Sequence, residues 1–421
     1  MALNSIEEAY KARTVKSAAL LRRAGRSLPG GLTRNYGFHR PYPVVHARGK
    51  GPHLWDVDGN RYVDLNYNGL SLIHGHAYGP VTDALARAMP SGWAWLGTQE
   101  AQIEFAESLC ARIEIFDKVL FTNSGTEAGM LAVKLARGFT KRSLILKANG
   151  GYHGTYSDLE AGLHGQGELP GRTLLAEFND AESFERVIEQ HGRSIAAVVL
   201  EPVMYTGVVM PALPGFLDRV QRAAHRVGAL FVLDDCLMFR LATGGSAEKF
   251  GLEPDITFLG KFIGGGLPAG AVGARQEIMD LADPGRTDDG IYHGGSFNGN
   301  ALSSLAGRIA IEHLTAERID GMDKAAQRLK QTLEGKAKSV GVPLFVLDEG
   351  SVMGLYFSET KPKPGSHLPN EALSARFHLA CLNNGVQTGP GCMIAMATVI
   401  DEATLAEASA GMSQALADIA P

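Results

Sequence analysis

Between about residues 118 and 275 the chain alternates short apolar runs with longer amphipathic stretches, a rhythm that few folds accommodate. The runs Lys118 to Thr122, Leu144 to Ala148, Thr173 to Phe178, Ile195 to Leu200, Ala229 to Leu233, Ile256 to Leu259 and Ala271 to Ala274 have the length of strands. Their nearly unbroken apolar character suits strands covered on both faces. Thr126 to Phe139, Ala181 to Gln190 and Gly215 to Val227 repeat apolar residues at helical spacing, with Asp180 placed as an N-cap and Gly228 as a stop. Helices between such strands predict a mostly parallel, doubly wound sheet, so the fold class is α/β.

The flanks differ in character. Residues 1–70 carry an amphipathic helix, a Pro/Gly-rich passage, and an alternating segment from His53 to Asp64 whose Asp58-Gly59-Asn60 suits a hairpin turn. Beyond about residue 310 a long helical pattern gives way to mixed short elements. The expected division is therefore a large central domain over 71–310, with 1–70 and 311–421 building one smaller α+β domain. A chain of 421 residues that is 45% hydrophobic has material for both cores.

Composition narrows the function classes. A formal charge of -5 with no long run of like charge gives no field for nucleic acid or anionic lipid. No window approaches the roughly 18 uncharged apolar residues of a membrane span. The amino terminus places Glu7 and Glu8 where a secretory signal needs an apolar core. Cys110, Cys236, Cys381 and Cys392 lie far apart with no C-x-x-C pair, so reduced thiols and a cytoplasmic protein are expected. His74-Gly75-His76 has no acid or cysteine at ligand spacing, and no metal is expected.

The chemistry gathers after the predicted strands. Lys261 follows the run Ile256-Thr257-Phe258-Leu259-Gly260 and precedes Gly264-Gly265-Gly266, a place for an amine nucleophile rather than a solubilising charge. Asn123-Ser124-Gly125-Thr126 opens a helix after the first central strand, and its backbone N–H groups can seat a phosphate or simply form an N-cap. Gly150-Gly151-Tyr152-His153-Gly154 puts an aromatic ring and an imidazole on a glycine loop, either to stack on a flat ligand or to pack on its own domain. The run Leu230-Phe231-Val232-Leu233 drives Asp234 into a dry setting, where a carboxylate persists beside a cation or strong donor such as a protonated ring nitrogen. Asp235 reads as a solvated or supporting acid, and Cys236 shares the face of Asp234. A phosphate seat, a stacking ring, a carboxylate and a strand-end lysine together answer the needs of pyridoxal phosphate.

The strings NSGTEA, GGYHG, EPV, LDDC, LGKFIGGGLPAGAVG and GGSFNGN resemble the class III, fold type I aminotransferases. The similarity is to the branch of glutamate-1-semialdehyde aminomutase and the β-phenylalanine type aminotransferases. It implies that Lys261 holds pyridoxal 5'-phosphate as a Schiff base and shuttles protons, while Asp234 keeps the ring nitrogen protonated. Ser124, Gly125 and Thr126 would bind phosphate, Tyr152 would stack beside His153, and Glu201 with Asn179 would sit near the ring hydroxyl. Ser296, where the family commonly has threonine, would reach the phosphate of the neighbouring subunit, which implies a homodimer with shared sites.

Departures shape the substrate reading. Cys236 replaces the usual valine under the ring, with a cysteine nucleophile as the rival reading. Ile394 stands where aminomutase sequences resemble one another in having glutamate, and the Gly389 to Ile394 passage has no arginine. Arg34, after Leu28-Pro29-Gly30-Gly31, resembles the arginine that the β-amino-acid branch aims at a substrate carboxylate, the alternative being a surface arginine. Trp93 and Trp95 match a substrate-side loop, or else pack in the interior. The expected activity is ping-pong amino transfer from an amino acid or amine to a keto acid, ketone or aldehyde. An aminomutase or racemase is the alternative within the cofactor class. A binding protein that keeps the fold is disfavoured by Lys261 and Asp234 together, and a serine hydrolase by the lack of a G-x-S-x-G elbow.

Overall fold

A computed structural model describes residues 3–163, 172–205, 209–363 and 370–421. The chain divides into two compact units. One comprises the described residues up to Tyr78, then Val209, then Asp320–Pro421; the other runs from Gly79 to Ile319 apart from that short insertion.

The larger unit is organised on a seven-stranded sheet in the spatial order Lys118–Thr122, Gly270–Ala274, Ile256–Leu259, Leu230–Asp234, Ile195–Leu200, Leu144–Ala148, Thr173–Ala176. Gly270–Ala274 runs antiparallel to both of its neighbours, and every other pairing in the sheet is parallel. The exception has a simple cause. Only ten residues separate Leu259 from Gly270, too few for the crossover that a parallel return requires. The six remaining strands consequently end at one edge, the place where open α/β sheets bind ligands.

Helix Gly125–Thr140 covers the sheet because Ala128, Leu131, Ala132, Leu135 and Ala136 recur on one face. They join a core containing Ile145, Val199, Val232, Ile256, Phe258 and Val272. Full burial of each leucine there stabilises by roughly 1.5–3 kcal/mol. Helices Ala181–His191 and Phe216–Arg226 follow the same rule. Asp180 caps the first by accepting from Ser183 N at 2.9 Å, and Gly228 takes φ 69° just past the second.

The smaller unit holds a four-stranded sheet ordered His46–Lys50, His53–Asp56, Arg61–Asp64, Val386–Gln387. The turn between its second and third strands contains Gly59 at φ 94°, as Asp58-Gly59-Asn60 predicts. Its last strand comes from the far end of the chain and pairs parallel. The unit also holds a three-stranded sheet of Phe345–Glu349, Val352–Tyr356 and Met393–Ala395. No helix among the described residues is long and apolar enough to cross a membrane.

Candidate active site

At the strand-end edge of the larger unit, loops from separate strands meet where there is no room for side chains. A Cβ on Gly125 would fall 2.9 Å from Cys236 Sγ, and one on Gly260 would fall 3.0 Å from Gly125 Cα. Gly154, at φ 107°, brings the glycine loop against the same helix start, where a Cβ would fall 2.7 Å from Thr126 Cα. Thr155 N also donates to Thr126 Oγ1 at 3.3 Å. Ser124 caps the helix by accepting from Glu127 N at 3.2 Å, and Glu127 Oε2 accepts from Asn123 N at 2.7 Å. Helix geometry leaves the N–H groups of Gly125 and Thr126 without intrahelical acceptors, at the positive end of the dipole.

Asp234 closes its strand and turns the chain by accepting from Cys236 N at 3.0 Å through Oδ1. Its Oδ2 lies 2.8 Å from His153 Nδ1. Burial pushes the imidazole pKa down, so a neutral ring presents its Nδ1 proton to the carboxylate. His153 Nε2 is buried without a partner among the described residues. Glu201, one residue beyond Ile195–Leu200, accepts from Tyr152 N at 3.3 Å. Burial, then the negative charge of Asp234, raises its carboxyl well above the usual range, against the opposing pull of Lys261 and Lys147.

Lys261 stands just past its strand, first in the short turn Lys261–Gly264, with φ 54°. A lysine in the left-handed region costs roughly 1–2 kcal/mol, and such residues persist where the surroundings hold them. Its Nζ lies 5.1 Å from the centre of the Tyr205 ring, which meets Tyr152 edge to face at 6.0 Å. Thus Ser124, Gly125, Thr126, Tyr152, His153, Glu201, Asp234, Cys236 and Lys261 form one group. Tyr205 and the buried Lys147, whose pKa burial lowers to about 8, escaped the sequence reading. Tyr205 follows the buried acid Glu201 closely enough to have been noticed.

Other residues stand elsewhere or differ from expectation. Trp93 and Trp95 are 45% and 52% exposed, which removes the interior-packing alternative, and they line an open cleft with Ser296 and Phe297. That loop is tied to the helix start by Asn123 Nδ2 donating to Asn298 Oδ1 at 2.8 Å. Asn179, at φ 64°, braces the segment at Met210–Pro211 by donating to Pro211 O and accepting from Leu213 N. Asp235 is buried rather than solvated, accepting from Ser246 N at 2.8 Å, and burial pushes its carboxyl up to about 7. Burial likewise raises the Cys236 thiol well above its usual range, which disarms it as a nucleophile. Ile394 is fully buried in its strand.

Arg34 belongs to the smaller unit and has its own surroundings there. Its Nη2 donates to Asn68 Oδ1 at 2.9 Å. Asn68 sits in a turn with four successive positive φ values, Tyr67 46°, Asn68 56°, Gly69 67° and Leu70 68°. Leu70 N bonds Asn66 O at 2.8 Å and Ser71 N bonds Tyr67 O at 3.0 Å, so this is one turn of left-handed helix. Tyr67 and Leu70 each carry a cost of roughly 1–2 kcal/mol there. Buried Asp64 offsets it by accepting from Asn66 N and Tyr67 N through Oδ1, and Tyr67 and Leu70 are themselves buried.

Comparison with known proteins agrees with this geometry. The family model for class III aminotransferases matches residues 37–416, and the chain belongs to that family. It is similar to the β-phenylalanine transaminase of Variovorax paradoxus, 33% identical over 417 residues that cover 95% of this chain and 93% of the relative. Glutamate-1-semialdehyde 2,1-aminomutase of Thermomicrobium roseum is 35% identical, over 89% of this chain and 91% of the relative. The crystal structure of an omega-transaminase from Sphaerobacter thermophilus superposes with a TM-score of 0.92 at 33% identity, covering 96% of this chain and 97% of the other. The protein is thus a fold type I transaminase that uses pyridoxal phosphate. The donor set in the larger unit suits that cofactor: an amine for its aldehyde, a carboxylate for its ring nitrogen, helix N–H groups for its phosphate and an aromatic face for its ring.

Proposed function

We propose that the enzyme takes amino donors that bear a carboxylate, β-amino acids first among them, and passes the amino group to a keto acid by ping-pong exchange. One observation carries the reading. Arg34 is bonded to a neutral amide oxygen, so its positive charge is kept for an incoming carboxylate, which a guanidinium grips through two parallel hydrogen bonds. The likeness to a β-phenylalanine transaminase over nearly the whole chain supports the same class of donor.

Lys261 would hold the cofactor covalently and would be the base and acid that moves a proton at the amine-bearing carbon. Pyridoxal phosphate, when bound, supplies the sink for the electron pair left by that proton. Asp234, oriented by His153, would hold the ring nitrogen protonated, and Glu201 would sit near the ring hydroxyl. Ser124, Gly125 and Thr126 would take the phosphate, and Tyr152 and Cys236 would pack against the ring. Trp95 shapes the donor pocket. In a homodimer Ser296 of a second copy would reach the phosphate, and exposed Leu96, Tyr292 and Phe297 supply apolar surface for such an assembly. The four free cysteines accord with a cytoplasmic setting.

The test is a screen of α-amino acids, β-amino acids and simple amines against pyruvate and 2-oxoglutarate, with wild type beside Arg34→Ala. Carboxylate-bearing donors should lose about 10- to 100-fold in kcat/KM and carboxylate-free amines should not. Equal loss for both kinds sinks the Arg34 assignment, and turnover of one substrate with no acceptor would replace transfer by an aminomutase reaction.

A further inference from the structure

The left-handed turn Tyr67–Leu70 is the longest run of successive positive-φ residues described in the smaller unit. Tyr67 and Leu70 point into the interior, whereas Asn68 and Gly69 are the turn's outward residues. Three of its residues, Tyr67, Asn68 and Leu70, hold positive φ without being glycine, at a cost that glycine would not carry. Strain of this kind persists only when neighbouring groups over-determine it, and they do. Asp64 Oδ1 holds the N–H groups of Asn66 and Tyr67, Asp64 Oδ2 meets His76 Nε2 at 2.7 Å, and Asn66 Oδ1 accepts from Gly69 N at 2.9 Å.

What the turn delivers is a pair of side-chain contacts to one segment. Asn68 Oδ1 accepts from Arg34 Nη2 at 2.9 Å, and Asn66 Nδ2 donates to Tyr36 OH at 2.9 Å. The amide of Asn68 is itself fixed, because Nδ2 donates to Ser71 Oγ at 2.8 Å and Ser71 Oγ donates to Asn68 O at 3.0 Å. With its nitrogen so engaged, Asn68 shows only its oxygen to the guanidinium. That oxygen is neutral, so it sets the plane of the fork without cancelling its charge.

We propose that the left-handed turn is a positioning device for Arg34, with Asn68 as the residue that orients the guanidinium for the donor carboxylate. The inference rests on the Arg34 reading above and adds the element that makes Arg34 selective. Asn68 does not touch substrate; it removes the rotational freedom that an exposed arginine would otherwise lose on binding.

Asn68→Gly tests this, since glycine keeps the positive φ while deleting the amide. The measured quantity is the ratio of kcat/KM for the fastest carboxylate-bearing donor of the screen to that for 1-phenylethylamine. It should fall about tenfold, the size of one charge-assisted hydrogen bond, with the change in KM rather than kcat. Asn68→Asp, also tolerant of the left-handed region, pairs with Arg34 and should lower the ratio further by competing with the donor. Binding of 3-phenylpropanoate, a carboxylate with no amine to react, should weaken by the same factor in the cofactor-loaded protein. If Arg34→Ala lowers the ratio and Asn68→Gly leaves it unchanged, the positioning role is wrong and the Arg34 reading stands. If Arg34→Ala leaves the ratio unchanged, both are wrong. A change in kcat equal for both donors in Asn68→Gly also overturns the proposal, because a purely structural defect would act that way.

Discussion

The Lys261 group and the Arg34 group solve the same problem, holding a cation in one place, by opposite means. Lys261, Asp234 and Glu201 each stand at or just beyond the end of a strand, so the sheet's hydrogen-bond ladder fixes them and burial strengthens every charge interaction among them. Arg34 is exposed on a non-repetitive segment, and what holds it is a strained turn more than thirty residues farther along. A buried constellation tolerates little alteration because each member shifts the others. An exposed one is adjustable, which is where differences in donor choice among relatives of one fold can arise.

The largest expected effect lies in the buried group. On the role proposed for Lys261, covalent anchor and general acid–base at once, Lys261→Ala should lower kcat by more than about 10³-fold. The purified variant should also lack the visible absorbance of covalently held cofactor. Activity within tenfold of wild type would dissolve the distinction between the two groups.

Next comes the electrostatic cost of burial at Asp235, beside the same strand end. Its carboxyl titrates at about 7 in the folded chain against an ordinary 3.8. Between those values the folded state holds a proton that the unfolded state has released, so stability falls as pH rises through the window from about 4 to 7. The full difference corresponds to at most about 4 kcal/mol. Asp235→Asn should flatten that slope in denaturant titrations at pH 5 and pH 8. An unchanged slope would mean the acid is better solvated than its surroundings indicate.

The two groups also differ in how far the sequence revealed them. Apolar runs ending in Asp234 or Lys261 advertise their chemistry, because an ionisable residue at the end of a buried strand is costly without a purpose. The seven strands were legible for the same reason, and the antiparallel run of Gly270–Ala274 is explained by the short span before it. The Asp234–His153 bond was hidden, since 81 positions separate partners that only the sheet order joins. The left-handed turn was hidden more deeply. Asn-Tyr-Asn-Gly-Leu reads as an ordinary loop, and nothing local in it specifies positive φ at Tyr67 and Leu70; buried Asp64 and the two anchors impose it. Asn179 takes positive φ and bonds Pro211 O and Leu213 N, partners more than thirty positions away that its local sequence does not reveal.

The smallest expected effect compares two caps. Ser124 caps a right-handed helix by accepting from Glu127 N, and Asn66 caps the left-handed turn by accepting from Gly69 N. Removing the first, in Ser124→Ala, should cost about 1 kcal/mol of stability, as N-cap deletions do, because sixteen residues of helix depend on that end. Asn66→Ala removes the bond from Gly69 N and the exposed one its Nδ2 donates to Tyr36 OH, from a turn held mainly by Asp64 and by the burial of Tyr67 and Leu70. Its global cost should be no more than about 0.5 kcal/mol, with the loss appearing instead as faster hydrogen exchange at the Gly69 amide. If Asn66→Ala destabilises the whole chain as much as Ser124→Ala, the turn is part of the fold's cooperative core. It would then be no adjustable mount for Arg34, and the contrast between a rigid buried site and a tunable exposed one would fail.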